Sequence, residues 1–469
     1  MMKTNYKLYH LIEVLSKSEI RQVRKMTVSP FFLERTDVGR LFNFIVGEWL
    51  EKKEMPEKEI VFKHTFPKRK FNDLQLRGTM SDLVELIEEF LLIQNRRNDK
   101  IATKLQLAKI YRTRKLEKSY SSTIKKTEKL IVNHAKRNAA YYQNLLDFQL
   151  EQMEFKIATN RTAGLQFQEI SDTWDVLYLI EKLRHVCAQL SHQSIFKQDY
   201  NFGLLSDIVE IVEQKKYIEV PAIAMYYYCY RFLKEEFSFE FFQKFREQLT
   251  NYRHHFSQRE LQDPYRLAIN FCIRKLNTGE KFFIEEGLKL YKEGLAEGIL
   301  LENDFLPRFS YNNMVAMAIR LEEFKWVENF IQTSSGLLDP KYRKPTISFN
   351  LARLEYARKN YGEAMLHLQN AEYKDLVNNL ISKSILMKIY YELDEFDSLF
   401  SHLDSFQIFI RRREVSDFHR KNYMNAIRLV KKLVALPELD KKARKTLREE
   451  IESEEVLTER EWLLGKLEK

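Results

Sequence analysis

The sequence predicts an all-α protein, and three observations carry that reading. The 469 residues include only twelve Gly and nine Pro, well below average usages of about 7% and 5%, so turns are few and elements long. No proline falls between Pro67 and Pro221, a gap suited to long helices because proline breaks a helix interior. Apolar residues recur at helical spacing where they can be phased. With 44% hydrophobic and 31% charged residues the chain is globular in balance, which excludes a disordered or fibrous protein.

Residues 1–78 read as an N-terminal subdomain of four or five short helices. They are separated by TVSPFF around Pro30, KEMPEKE around Pro56 and HTFPKRKFND around Pro67. Pro56 suits a first helical position, with Glu57 and Glu59 favourably placed at a helix N-terminus. From Ser81, an N-cap by residue type, a run without Gly or Pro reaches about residue 118, placing Leu83, Leu86, Ile87, Phe90 and Leu91 on one helical face. A break at Ser121-Ser122 and two further long helices, near 123–158 and 163–192, complete a middle region at 79–219 of antiparallel helices. MEFKIAT, at 153–159, is the one stretch that also suits a strand. From 220 to 469 the helices shorten, with breaks expected at Phe237-Ser238, Asp263-Pro264, Thr278-Gly279, Asp304 to Pro307, Asp339-Pro340 and Asn360.

Charge is unevenly spread. Between Arg96 and Arg137 there are 14 basic and three acidic residues, a local net of +11 in a chain whose total is +10. Such a focused segment attracts phosphate or an acidic partner, whereas an evenly basic surface mainly affects solubility. At 100° per residue from Ile101, Arg97, Lys100, Lys104, Arg114, Lys115 and Lys118 fall in an arc of roughly 220° to 320°, beside an apolar arc of Ile101, Leu105, Ala108 and Leu116. The ordinary role for that face is balance by a neighbouring helix carrying Glu151, Glu154 and Glu169. The sharper role is a docking surface for nucleic acid or an acidic protein.

No uncharged stretch is long enough to span a bilayer. The start, MMKTNYKLYHLIEVLSKSEI, lacks the apolar core of a signal peptide. Cys187, Cys229 and Cys272, odd in number and widely spaced, form neither a disulfide framework nor a zinc signature. A cytoplasmic setting without membrane contact is the expectation.

The C-terminal region repeats itself. Aligning FSYNNMVAMAIRLEEFKWVENFIQ, ISFNLARLEYARKNYGEAMLHLQNA and SKSILMKIYYELDEFDSLFSHLDSF superposes Phe324, Tyr361 and Phe396, spaced 37 and 35 residues. The middle copy carries Leu351 and Ala352 before the turn and Ala364, Leu368 and Ala371 after it, small residues that let paired helices approach. The first copy fits at Met314, Phe324, Val327 and Ile331, with Val315 at a small position. The last fits at Leu386, Phe396 and Leu403, with Met387, Leu399 and Phe406 at small positions. Over about 309–406 the sequence resembles tetratricopeptide (TPR) repeats. The resemblance implies helical hairpins stacked as an α-solenoid, whose first helices line a peptide-binding groove. That would place Asn313, Ala316, Arg320, Phe349, Arg353, Tyr356, Lys388 and Tyr391 on or near the groove. Asn312 and Ala316 stand where the carboxylate-clamp subclass would require Lys and Asn, so binding of chaperone tails is not implied.

Enzymatic motifs are missing. G-x-x-x-x-G-K-[ST], H-E-x-x-H, G-x-S-x-G and C-x-x-C do not occur, and Gly287, Gly294 and Gly298 follow no strand. No catalytic residue, cofactor or metal site is expected. His185 and His192 share a helical face, but Cys187 points about 200° from His185, so the three do not converge. The aromatic run MYYYCYRFL at 225–233 surrounds its helix, the mark of a buried element rather than a base-stacking platform. The expectation is a non-enzymatic scaffold or adaptor for a protein or peptide partner. The alternative is a nucleic-acid-binding or regulatory protein using segment 96–137 and the N-terminal subdomain, where residues 57–95 loosely suggest a helix-turn-helix without a basic recognition helix.

Overall fold

In the computed structural model the described residues are all but 1–6, 53, 55, 161–163, 197, 215–216, 235–238, 277–279, 370–375, 438–439 and 469. Among them the fold is all-α: 23 α-helices, three short 3₁₀ turns and one isolated bridge between Glu302 and Phe305, with no strand. MEFKIAT is helical. The chain divides into two compact units, 1–181 and 182–469, within one long helix.

The first unit opens with α1 (Lys7–Val14), α2 (Lys17–Thr27), α3 (Thr36–Lys52), α4 (Lys58–Thr65) and α5 (Asp73–Asn98). Ser16 and Glu19 form a capping box at the start of α2, satisfying two otherwise orphaned amides. Pro56 lies just ahead of α4, whose N-cap is Glu57. The helix expected from Ser81 begins at Asp73, where the Asn72 side chain accepts the Gln75 amide at 3.0 Å. Leu76, Leu83, Ile87 and Phe90 of α5 share a core with Leu8, Phe42, Ile45 and Phe62, so α5 and the short helices before it form one body. Within 57–95, α4 and α5 lie on either side of a turn around Pro67, and α5 runs unbroken through 73–98.

Next come α6 (Lys100–Thr113), α7 (Glu117–Val132), α8 (Ala139–Thr159) and α9 (Phe167–Phe196), the last crossing the division between units. The long helix expected from 81 to about 118 is thus interrupted twice without Gly or Pro. Asp99 accepts the Ala102 amide at 2.9 Å as the cap of α6, and Lys115 takes φ +57°. Ile101, Leu105 and Ala108 are buried with Tyr120, Ile124, Ile131 and Phe148.

The second unit continues with α10 (Leu205–Gln214), α11 (Pro221–Lys234), α12 (Phe239–Tyr252), α13 (Gln258–Leu276) and α14 (Lys281–Ala296). The aromatic run lies in α11, where Tyr226, Tyr227, Tyr230 and Phe232 are buried. Phe232 packs against Phe242, Phe245 and Phe271 with ring centroids 5.0–5.7 Å apart. No break occurs at Asp263-Pro264, since α13 runs through Pro264 at the loss of one backbone hydrogen bond. The breaks at Phe237-Ser238 and Thr278-Gly279, and the repeat residue Ala371, lie outside the described residues.

Six helices cover the repeats: α15 (Arg308–Arg320), α16 (Phe324–Ser334), α17 (Pro340–Ala357), α18 (Tyr361–Gln369), α19 (Leu376–Glu392) and α20 (Phe396–Arg412). They pair in order, and α17 packs on both α15 and α19. Ala352 and Ala364, fully buried, sit with Leu368, Ile385 and Ile389. Each hairpin turns in the same way. Glu322, Lys359 and Asp394 take φ of +59°, +65° and +57°, two residues before the aligned aromatics. The next amide reaches back five residues, from Glu323 to Ala318, Asn360 to Glu355 and Glu395 to Tyr390, at 2.8–3.0 Å. This is the Schellman closure that usually takes glycine. Finally α21 (Asp417–Val434), α22 (Lys441–Ser453) and α23 (Arg460–Leu467) share a core with α19 and α20 that includes Leu463 and Leu467.

Candidate functional site

The residues singled out in the sequence lie on two surfaces, one in each unit. In the second unit, α15, α17 and α19 carry the residues that the repeat resemblance assigns to a groove. Asn313 is half-buried and donates to the Tyr291 hydroxyl at 3.1 Å, Ala316 is half-buried, and Arg320 is exposed. Phe349 is fully buried and lies 5.4 Å beneath the Arg353 guanidinium, so it supports this face from inside rather than presenting itself to a partner. Arg353 donates to the Asn312 carbonyl at 3.0 Å, above a buried amide pair in which Asn350 donates to Asn312 at 2.7 Å. Burial pulls the Arg353 guanidinium down to about 10, so it remains charged at neutral pH.

Lys388, 8% exposed, is buried as well. Its ammonium lies 4.6 Å over the Tyr356 ring and 2.7 Å from Glu459, whose other carboxylate oxygen accepts from Ser384 at 3.0 Å. Burial alone would raise the Glu459 carboxyl, but Lys388, Ser384 and Arg320 outweigh it and hold it below its usual range. Tyr391 packs edge-on to Trp462 with centroids 5.2 Å apart. The Trp462 indole and Lys466 ammonium donate to Glu392 at 2.8 and 2.6 Å. Arg320 stands 4.0 Å from Glu461. The chain's own segment 459–466 thus covers the Lys388 and Tyr391 end of the face. Sequence reasoning missed Ser384, Glu459 and Trp462, because contacts 71 and 75 residues apart leave no local pattern; the signal present was an acidic and aromatic stretch, EEVLTEREW, beyond the last repeat.

In the first unit, the basic face expected on one continuous helix is divided among three helices and a turn. Arg97 lies in the last turn of α5, Lys100 and Lys104 on α6, Arg114 and Lys115 in the turn, and Lys118 in the first turn of α7. The reversal at Lys115 ends the helical phase, which is why Leu116, assigned to the apolar arc, is 47% exposed. Among the described residues the expected acidic neighbours meet one cation, Arg112, which pairs with Glu151 at 2.7 Å and approaches Glu154 at 3.7 Å. Among the described residues none of the six candidate cations forms an ion pair, and all but half-buried Lys104 are exposed.

The metal-capable residues stay apart: His185 is exposed, Cys187 is buried, and His192 meets the Tyr200 hydroxyl at 2.8 Å. Among the described residues no three His, Cys, Asp or Glu side chains are grouped to hold a metal ion, and no helix is long and apolar enough to cross a membrane. Compared with family models, curated proteins and solved structures, the chain has no match.

Proposed function

We propose that this chain is a non-enzymatic scaffold that binds a protein partner on a TPR-like, solenoid-forming surface. One observation carries the reading: Arg320, Arg353, Tyr356, Lys388 and Tyr391 recur along three consecutive first helices, and Arg320, Lys388 and Tyr391 among them meet a Glu461, Glu459 and Trp462 segment of the same chain. A surface that holds carboxylates and an indole in this way suits a partner segment of the same chemistry, since Arg and Tyr supply strong anchors when pre-organised on rigid helices. Cytoplasmic residence belongs to the same proposal.

The test is fluorescence anisotropy with a labelled peptide of the sequence at 454–468. The full chain carrying Glu459→Ala and Trp462→Ala should bind the peptide more tightly than the unaltered chain, and adding Arg320→Glu should weaken that binding. Equal, absent binding to all three proteins would refute the reading.

A further inference from the structure

The charge left over in the first unit is concentrated on one side of α7. Tyr120, Thr123, Ile124, Thr127 and Ile131 of that helix are buried. The opposite side presents Lys118, Ser122, Lys125 and Lys129 at i, i+4, i+7 and i+11, within about 60° of one another and along about 16 Å of helix. Lys126 lies beside this row, and Arg114 and Lys115 precede it in the turn. The acids of α7, Glu117 and Glu128, lie on the other flank from Lys126, about 80–100° from Lys118 around the helix. Among the described residues no ion pair engages Arg114, Lys115, Lys118, Lys125, Lys126 or Lys129, and all six are exposed. An open cleft of about 670 Å³ runs along the row between Lys118, Ser121, Ser122 and Lys125 of α7 and Phe155 and Thr159 of α8, with Glu117 the one acid in its lining.

The kind of partner follows from what this face contains and what it lacks. An acidic protein would need apolar anchors, because a few buried aromatic or aliphatic contacts dominate protein interfaces. Between residues 96 and 137 the large exposed apolar side chains are Ile110, Leu116 and Val132, with no aromatic among them, and the one ring lining the cleft, Phe155, is half-buried and stacked on Tyr120 at 3.8 Å. That lack also disfavours single strands, which are held by stacking bases on exposed rings. Cations and hydroxyls without a reading element match the phosphate backbone of a duplex, where Lys acts as a point charge and counterion release supplies the affinity. We propose that the α7 face of this protein docks the phosphodiester backbone of double-stranded nucleic acid without reading its sequence.

Binding of the full chain to labelled DNA and RNA duplexes of about two helical turns tests this across a salt series, with polyglutamate as the acidic-polypeptide comparator. Duplex binding should show a Kd of roughly 10⁻⁴ to 10⁻⁶ M near physiological salt and a steep fall with salt. Exchange of Lys118, Lys125, Lys126 and Lys129 for Gln should weaken it about tenfold or more at low salt. For DNA it should also flatten the log–log salt slope by about 3 to 4, at about 0.9 for each phosphate no longer neutralised. Equal removal of charge at Lys421, Lys441, Lys442 and Lys445 should change neither quantity appreciably. Should the four-site variant fold poorly, Ser122→Glu places one negative charge in the row and should weaken binding in the same direction. Preference for DNA or RNA decides only which duplex fits. Absence of salt-dependent duplex binding, tighter binding of polyglutamate than of either duplex, or equal weakening by the control variant would overturn the proposal.

Discussion

Removing the Glu459 side chain should loosen the end of the chain by an amount that can be worked out from its surroundings. Glu459 sits at φ +59°, a conformation that costs a non-glycine residue about 1–2 kcal/mol. Its side chain offsets that cost by meeting Lys388 at 2.7 Å and Ser384 at 3.0 Å. Glu459→Gly relieves the backbone by about 1 kcal/mol, but it strands Lys388, which is 8% exposed, and breaking a buried pair from one side costs about 3–5 kcal/mol. The net loss is about 2–4 kcal/mol. Read by amide hydrogen exchange, which reports local opening, this corresponds to roughly 30- to 700-fold faster exchange in α23 at about 1.4 kcal/mol per decade. Converting the pair together, Lys388→Met with Glu459→Met, should restore most of the protection, because apolar replacement of both partners is often neutral or stabilising. If Glu459→Gly left α23 as protected as in the unaltered chain, the ion pair would not be what holds the segment in place.

The hairpin turns predict the opposite sign. Lys359→Gly should raise stability by about 1 kcal/mol, since exposed Lys359 occupies a left-handed position at φ +65° that glycine takes without steric cost; a lowered denaturation midpoint would contradict this. Ala364→Leu should destabilise by about 1–3 kcal/mol, because Ala364 is fully buried against Ala352 and Ile389 and added methylenes overpack such a contact; an unaltered melting temperature would place the helix crossing elsewhere. Acid should act through Glu459. Its carboxyl is held below the ordinary 4.5, so the stability it contributes is present above that pH and is lost as pH falls through the depressed folded value. Exchange protection of α23 should fall accordingly, and Glu459→Gln should flatten the dependence.

Helix content and hairpin rhythm were legible in the sequence because both are local. The Asp339-Pro340 start of α17 and the turn aromatics Phe324, Tyr361 and Phe396, each just past its own hairpin turn, are signals held within a few residues of chain. The breaks at Asp99 and Lys115 were not legible. Left-handed closure at Lys115, Glu322, Lys359 and Asp394 uses residues whose own preference opposes it, so packing of the paired helices overrides a local cost of about 1–2 kcal/mol. The segment boundary expected at Ser81 failed for a related reason: Asn72 is as good a cap by type, and only the core shared with Phe42 and Phe62 shows that α5 belongs with the helices before it. The cover over Lys388 and Tyr391 was out of reach, since nothing in either stretch of sequence specifies a contact 71 residues away.

Counting charges treats every lysine and arginine alike, and the pairing pattern separates them. In the second unit, Lys388 and Lys466 are each less than a fifth exposed and committed to a carboxylate. In the first unit, Arg112, 17% exposed at its side chain, is committed to Glu151 in the same way. Those cations are part of the packing, and their removal would be felt as stability because a buried partner would be left uncompensated. The cations of α7 differ in both respects: they are exposed and, among the described residues, unpaired, so their mutual repulsion is unrelieved and exchanging them for Gln removes a cost instead of a stabilising pair. Packing and free surface charge therefore separate between these two groups of positive charge. Substitutions at Lys388 or Arg112 speak to folding first, whereas substitutions along Lys118, Lys125 and Lys129 can change what the protein attracts while leaving its core intact.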